Sequence, residues 1–176
     1  MYFTTKIAIN FLLAYIFNMK TLFVLVLSLL ISISSFAKPL KAYDFTLKDE
    51  NGNTVKLSDY KGNVIFLIFW STHCPTCKKE MPKISKELIP KFKDKPVKFF
   101  AIVINTNNLK EIEKVKKEWG FDIPVLLGNR EVKAKYRIFG TPTVYILRKD
   151  LTVGKLFLGK KDLKIFEKYL NKFLKQ

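Results

Sequence analysis

Thiols and imidazoles are scarce in this chain: its 176 residues include two cysteines, Cys74 and Cys77, and one histidine, His73. Those three side chains fall short of the four ligands of a structural zinc site. No cysteine lies near the amino-terminal apolar run, which excludes a lipid-anchored cysteine there. Acidic residues are also few, 15 against 32 lysines and arginines, for a formal net charge of +17. Internal repeats and low-complexity segments are absent. With 48% hydrophobic residues the chain can fill one core of ordinary size, so one globular domain is expected.

Charge is nearly missing from residues 1–37, which hold only Lys6 and Lys20, whereas the sequence from Lys38 onward is densely charged. Met19-Lys20, the apolar run Leu22 to Ile33 and then Ser34-Ser35-Phe36-Ala37 read as the n-region, h-region and cleavage site of an export signal. Cleavage is expected after Ala37. A start at Met1 would put Lys20 between two apolar runs, where a charge at mid-membrane costs about 2.5–3.5 kcal/mol, so translation is expected to begin at Met19. An uncleaved anchor is the competing reading. Its uncharged stretch, Thr21 to Ala37, sits at the short limit of the roughly 17–25 residues that a spanning helix takes. On either reading the domain 38–176 is expected in the periplasm or cell envelope. Its lysines are scattered among glutamates on expected helix faces, as in Lys110-Glu111-Ile112-Glu113-Lys114. That pattern reads as a solvated surface with no nucleic-acid partner; anionic membrane headgroups are the next surface such charge would suit.

Turn chemistry and hydrophobic runs order the exported domain. Phe45-Thr46-Leu47 and Thr54-Val55-Lys56-Leu57 flank Asn51-Gly52-Asn53, a hairpin signature. Asn63 to Trp70 and Val97 to Asn105 are continuous apolar runs without alternation, the pattern of central strands buried on both faces. Helical character is expected from Pro75 to about Phe92, kinked at Pro82 because proline removes a backbone donor. Leu109 to Trp119 reads as a helix ending at Gly120 and leading into a short strand, Ile123 to Leu127. A short helix, Arg130 to Arg137, precedes paired strands Thr143 to Leu147 and Thr152 to Leu158, and Asp162 caps a last helix reaching Leu174. Strands alternating with helices give an α/β fold with a central mixed sheet flanked by helices.

Cys74 and Cys77 form a C-x-x-C pair, a spacing that serves a small disulfide, a metal or an inert core alike. Their surroundings favour redox chemistry. Cys74 falls where a buried strand meets a helix, and unpaired N–H groups at a helix amino terminus stabilise a thiolate, lowering thiol pKa values from about 8.5 to roughly 3.5–7.5. Cys74 is thus the expected nucleophile and Cys77, one turn on, the resolving thiol. Pro75 suits the first helical position, where a missing N–H costs nothing. His73 either stabilises the thiolate as an imidazolium or is an exposed loop residue with no duty. Glu80, three residues beyond Cys77, either lines the pair and relays protons or is a surface carboxylate beside Lys78 and Lys79. Gly140-Thr141-Pro142-Thr143, just before an apolar strand, marks a second candidate site.

From Ala42 to Gln176 the chain resembles the thioredoxin superfamily, and more narrowly the TlpA/ResA group of exported thiol-disulfide oxidoreductases. The resemblance rests on the hairpin followed by Leu57-Ser58-Asp59-Tyr60-Lys61-Gly62, on Phe69-Trp70 leading to Cys74-Pro75-Thr76-Cys77-Lys78-Lys79-Glu80-Met81-Pro82, and on Gly140-Thr141-Pro142-Thr143. It implies a thioredoxin-like fold with an amino-terminal hairpin and an inserted helix-strand unit, Leu109 to Leu127. It also implies a cis Pro142 packed against the cysteines, a Thr141 backbone that pairs with substrate, Trp70 among the substrate-facing residues, and Glu80 as active-site carboxylate. Activity would be disulfide reduction by a monomer, with no cofactor beyond the redox-active disulfide. Protein thiols and disulfides would be its substrates, often apocytochrome c cysteines in cytochrome c maturation, and a membrane thiol carrier its reductant. One departure stands out: the group commonly has Trp directly before the first cysteine, where this chain has His73.

Two rival readings share the residues. A peroxiredoxin-like peroxidase would use Cys74-Pro75-Thr76, but Leu67 stands where its motif wants proline and Ser71 is a partial match. A copper-binding chaperone would use His73, Cys74, Cys77 and Met81 as soft ligands, although adjacent His73 and Cys74 would strain a shared site.

Overall fold

The structure, a computed structural model, describes Phe23 and residues 39–176. The expected signal segment and its cleavage site lie outside the described residues. Among the described residues no helix is long and apolar enough to cross a membrane.

A hairpin comes first, with strands β1 (Thr46–Lys48) and β2 (Thr54–Lys56). Its turn is held by one carboxylate: Asp49 accepts from the backbone N–H groups of Asn51 and Asn53 at 2.9 and 2.8 Å. Gly52 supplies the positive φ of 86° that the reversal requires. Leu57–Tyr60 then form a single 3-10 turn that feeds β3 (Val64–Trp70).

All seven residues of β3 are buried. It lies at the centre of a five-stranded sheet ordered β5-β4-β3-β6-β7, with β4 at Val97–Val103, β5 at Val125–Leu127, β6 at Thr143–Leu147 and β7 at Val153–Leu158. β3 runs parallel to β4, from Val64 opposite Val97 to Trp70 opposite Val103, and antiparallel to β6, from Ile65 opposite Leu147 to Phe69 opposite Thr143. The sheet is mixed.

Side-chain alternation divides β3 between two cores. Val64, Phe66, Ile68 and Trp70 face α1 (Pro75–Lys83), α2 (Leu109–Trp119) and α4 (Leu163–Leu174), meeting Met81, Ile112 and Phe166. Ile65, Leu67 and Phe69 face the hairpin and α3 (Arg130–Lys135), meeting Leu47, Val55, Val132 and Tyr136. A continuous apolar run is what such a strand needs, because no residue of it can be polar without facing one core or the other. Caps fix the helix starts: Asn108, Asn129 and Asp162 each accept a backbone N–H from the first turn of α2, α3 and α4. Gly120, at φ 69°, closes α2 in the left-handed conformation.

Boundaries differ from expectation where proline or backbone sign intervenes. The helix expected to reach Phe92 is α-helical only to Lys83, then π-helical over Ile84–Leu88 and 3-10 over Ile89–Phe92. Pro82 and Pro90 cannot donate to the carbonyls one turn back, so the chain changes hydrogen-bond register, with the Ile89 N–H reaching five residues back to Ile84. β5 begins after Pro124, which has no N–H for the ladder. α3 ends at Lys135, and Arg137, at φ 50°, turns the chain out of the helix. β4 stops at Val103, two residues short of Asn105.

Phe66 is fully buried, with ring centroids of Phe99 and Phe166 each 5.2 Å away. Phe66→Ala is expected to destabilise the fold by about 3–5 kcal/mol, read from the urea midpoint with the slope unchanged.

Candidate active site

Parallel pairing brings the carboxyl ends of β3 and β4 to the same edge of the sheet, and the chain leaves β3 there into Ser71-Thr72-His73. The Cys74 N–H donates to the Ser71 carbonyl at 3.1 Å, closing the turn that starts α1. Cys74 is the N-cap of that helix and Pro75 its first residue. The Cys77 backbone N–H donates to Cys74 Sγ at 3.0 Å, the place a cap oxygen usually takes. Cys74 and Cys77 form a disulfide with Cα atoms 5.2 Å apart. Cys74 keeps 6% of its surface and Cys77 none. On reduction, negative charge on Cys74 Sγ would be stabilised by that N–H and by the helix dipole, and the first turn of α1 contains no acidic residue to oppose it.

The peptide bond between Thr141 and Pro142 is cis. Thr143 Oγ1 donates to the Gly140 carbonyl at 2.7 Å and the Gly159 N–H to the Pro142 carbonyl at 2.9 Å, tying this loop to the end of β7. Pro75 and Thr76 at the start of α1 and Thr141 and Pro142 opposite them line one cleft of about 380 Å³. The two motifs separated by some sixty residues of chain therefore share one surface.

Glu80 is on the buried side of α1, 2% exposed. Its Oε1 accepts from the Lys161 N–H at 2.9 Å, while Oε2 is buried without a hydrogen-bond partner. Burial pushes its carboxyl above the ordinary value of 4.5, opposed by the Lys161 N–H and the Lys160 and Lys161 charges. The surface-carboxylate reading is thus excluded.

Trp70 is fully buried, its ring edge-on to Trp119 and Phe121 with centroids 5.6 and 5.4 Å away. This corrects the expectation that Trp70 faces substrate: even-numbered residues of β3 point into the helix-covered core, so the ring forms part of that core. His73 is exposed, and its Nδ1 lies 3.2 Å from both Thr72 Oγ1 and Asn105 Nδ2. Thr72 Oγ1 donates to Glu111 at 2.6 Å and Thr106 Oγ1 donates to the same carboxylate at 2.8 Å. Those two hydroxyls, with a smaller contribution from the His73 charge, hold the Glu111 carboxyl below its usual range. Thr72, Asn105, Thr106 and Glu111 were not singled out from sequence. A signal existed in Asn105, the polar residue ending the second apolar run, because the ends of adjacent parallel strands must meet. Among the described residues, no three His, Cys, Asp or Glu side chains are grouped for metal binding.

A carboxyl whose acidity is weakened by folding adds stability below its unfolded pKa and loses it as pH rises through the folded value. Glu80→Gln is therefore expected to flatten the decline in stability from about pH 4.5 upward, seen as urea midpoints that converge with wild type in acid and exceed it at pH 7. Equal midpoint differences at both pH values would contradict the raised pKa.

Comparison with known proteins agrees with this geometry. The sequence pattern of the AhpC/TSA family matches residues 40–156. The thiol-disulfide oxidoreductase ResA of Bacillus thuringiensis subsp. konkukian is 32% identical over 133 residues, 75% of this chain and 76% of that protein. ResA of Bacillus subtilis is 30% identical over 138 residues, 78% of this chain and 76% of that protein. Among solved structures, a putative thiol:disulfide interchange protein DsbE from Chlorobium tepidum superposes with a TM-score of 0.70 at 25% identity, covering 80% of this chain and 99% of that one. The fold is thioredoxin-like. With a C-x-x-C disulfide at a helix N-cap beside a cis-proline loop, and a likeness to ResA that covers 75% of the chain, the chain belongs to the AhpC/TSA family and is a thiol-disulfide oxidoreductase similar to ResA.

Proposed function

We propose that this protein is exported and reduces disulfides of proteins in the cell envelope, including those formed by cysteines destined for haem attachment in cytochrome c maturation. One observation carries the reading: Cys74 is the more exposed residue of the pair, and its Sγ is the one that receives a backbone N–H at the helix start. The likeness to ResA and to a DsbE-like interchange protein supports it further.

In this scheme the Cys74 thiolate attacks one sulfur of the substrate disulfide. A Cys74–substrate bond forms as the substrate S–S bond breaks, and the second substrate sulfur leaves as a thiolate that takes a proton from water. Cys77, its thiol proton passed to Glu80 one turn along α1, then attacks Cys74 Sγ. The Cys74–Cys77 disulfide closes and the first substrate sulfur leaves as a thiolate that takes a proton from water, while Glu80 releases to water the proton it accepted and returns to the carboxylate. Two electrons have moved from the protein dithiol to the substrate. A membrane thiol carrier returns them, and no cofactor beyond the disulfide is needed. Thr141 and Pro142 hold the extended substrate segment during attack. The protein works as a monomer, tethered by its amino-terminal segment or freed by cleavage after Ala37, with its basic surface toward anionic headgroups.

Cys77→Ala is expected to stop after the first exchange and to retain envelope proteins as mixed disulfides that dithiothreitol releases, seen as shifted bands on non-reducing gels. Capture by Cys74→Ala instead would reverse the two roles. Equilibration with a thiol redox buffer is expected to give a midpoint near the reducing end of the range of about −270 to −120 mV found among C-x-x-C proteins. A value near the oxidising end would turn the electron flow around, and rapid peroxide turnover by the reduced protein would favour the peroxidase reading.

A further inference from the structure

The cleft between the start of α1 and the cis-proline loop has walls of unequal origin but equal charge. Lys79 stands on the α1 wall with Pro75 and Thr76, and Lys160 on the opposite wall, directly after Gly159, whose N–H is bonded to the Pro142 carbonyl. Both lysines are exposed. Among the described residues they are the only charged ones that line this cleft, and no carboxylate does. Some lysines do meet acids, as Lys91 with Glu167 at 2.7 Å and Lys116 with Glu50 at 2.7 Å. Among the described residues neither Lys79 nor Lys160 enters an ion pair. The neighbouring acid, Glu80, is turned inward to the Lys161 N–H and is driven toward its neutral form by burial. The adjoining groove, which shares Lys160, also carries Glu87, Asp162 and Glu167, whereas among the described residues no acid lines the cleft beside the disulfide.

We propose that Lys79 and Lys160 are specificity-determining residues that favour substrate segments carrying a carboxylate next to the reacting cysteine. The proposal rests on the disulfide-exchange reading above and names the substrate class of that site: an extended, acidic, cysteine-bearing protein segment. A segment seated against Thr141 and Pro142 with its cysteine at Cys74 lies along the cleft that both lysines line. Two partly exposed pairs, screened by salt, add a moderate preference and not an absolute one.

The test uses the reduced full-length protein in a non-ionic detergent. Three single-cysteine peptides, each disulfide-bonded to a neutral pyridyl thiol, differ only in having Asp and Glu, Asn and Gln, or two lysines around the cysteine. Attack of Cys74 on the peptide sulfur releases the coloured thione, whose rate is followed by stopped flow. The acidic peptide is expected to react about three- to tenfold faster than the neutral one at low salt, and the basic one slower by a similar factor, the three converging at high salt. The double variant Lys79→Glu with Lys160→Glu is expected to reverse the order. Lys56→Glu with Lys98→Glu, an equal change of net charge on exposed strand residues remote from the cleft, is expected to keep it. Equal rates for the three peptides with wild type would overturn the proposal, as would the same reversal in both double variants, which would assign the preference to the overall charge of the molecule. Failure of all three peptides to react would remove the exchange reading itself, and the proposal with it.

Discussion

Burial of β3 on both faces is the constraint on which the rest of the structure depends. Val64–Trp70 contributes seven side chains to two separate cores, and neither core closes without it. Each fully buried aromatic or branched side chain stabilises the fold by about 1.5–3 kcal/mol, so this strand anchors both layers. Its position then dictates where chemistry can occur. The strand's carboxyl end is the place where the chain must leave the sheet and begin α1, and the same edge receives the end of β4 and the loop before β6. Cys74 occupies that exit.

The site sets a position that would favour an anion after reduction beside one that disfavours it. Cys74 Sγ accepts the Cys77 N–H at the dipole's positive end, whereas Glu80, on the same helix, has its carboxylate withdrawn from water with one oxygen unpaired. Hydrogen bonds and burial set the carboxyls of Glu111 and Glu80 apart: Glu111, satisfied by Thr72 and Thr106, is held below its usual range, while burial pushes Glu80 above it. Glu80 also joins two parts of the chain, since its bond to Lys161 fixes the segment after β7 against α1. That segment is tied in turn to Pro142 through Gly159. The side chain to which the proposed scheme gives the proton is thus also a structural joint.

Much of this was legible in the residues. Unbroken apolar runs located β3 and β4, because a strand covered on both faces has nowhere to put a polar group. Cys74 and Pro75 announced a helix start, and Asp162 another. Helix interiors were less readable: Pro82 predicted a disturbance, but whether the chain kinks or shifts to a π register depends on what carbonyls find to accept, which involves Pro90 as well. Trp70 shows a different limit. Its place next to the cysteine motif invited a functional role, yet a strand covered on both faces buries every side chain, and parity decides only which of the two cores Trp70 joins.

Sequence alone determined the central strand, the disulfide-forming pair and the helix it caps, because these follow from local rules: hydrophobic runs, capping and spacing. Tertiary structure decided which distant groups share the site. Only packing of the segment after β7 over α1 buries Glu80 and raises its pKa, and only the antiparallel β3–β6 pairing carries Thr141 and Pro142 to the cysteines. Lys79 and Lys160 face one cleft for the same reason. Burial and convergence are properties of contacts between segments far apart in the chain, and no local pattern of residues encodes them.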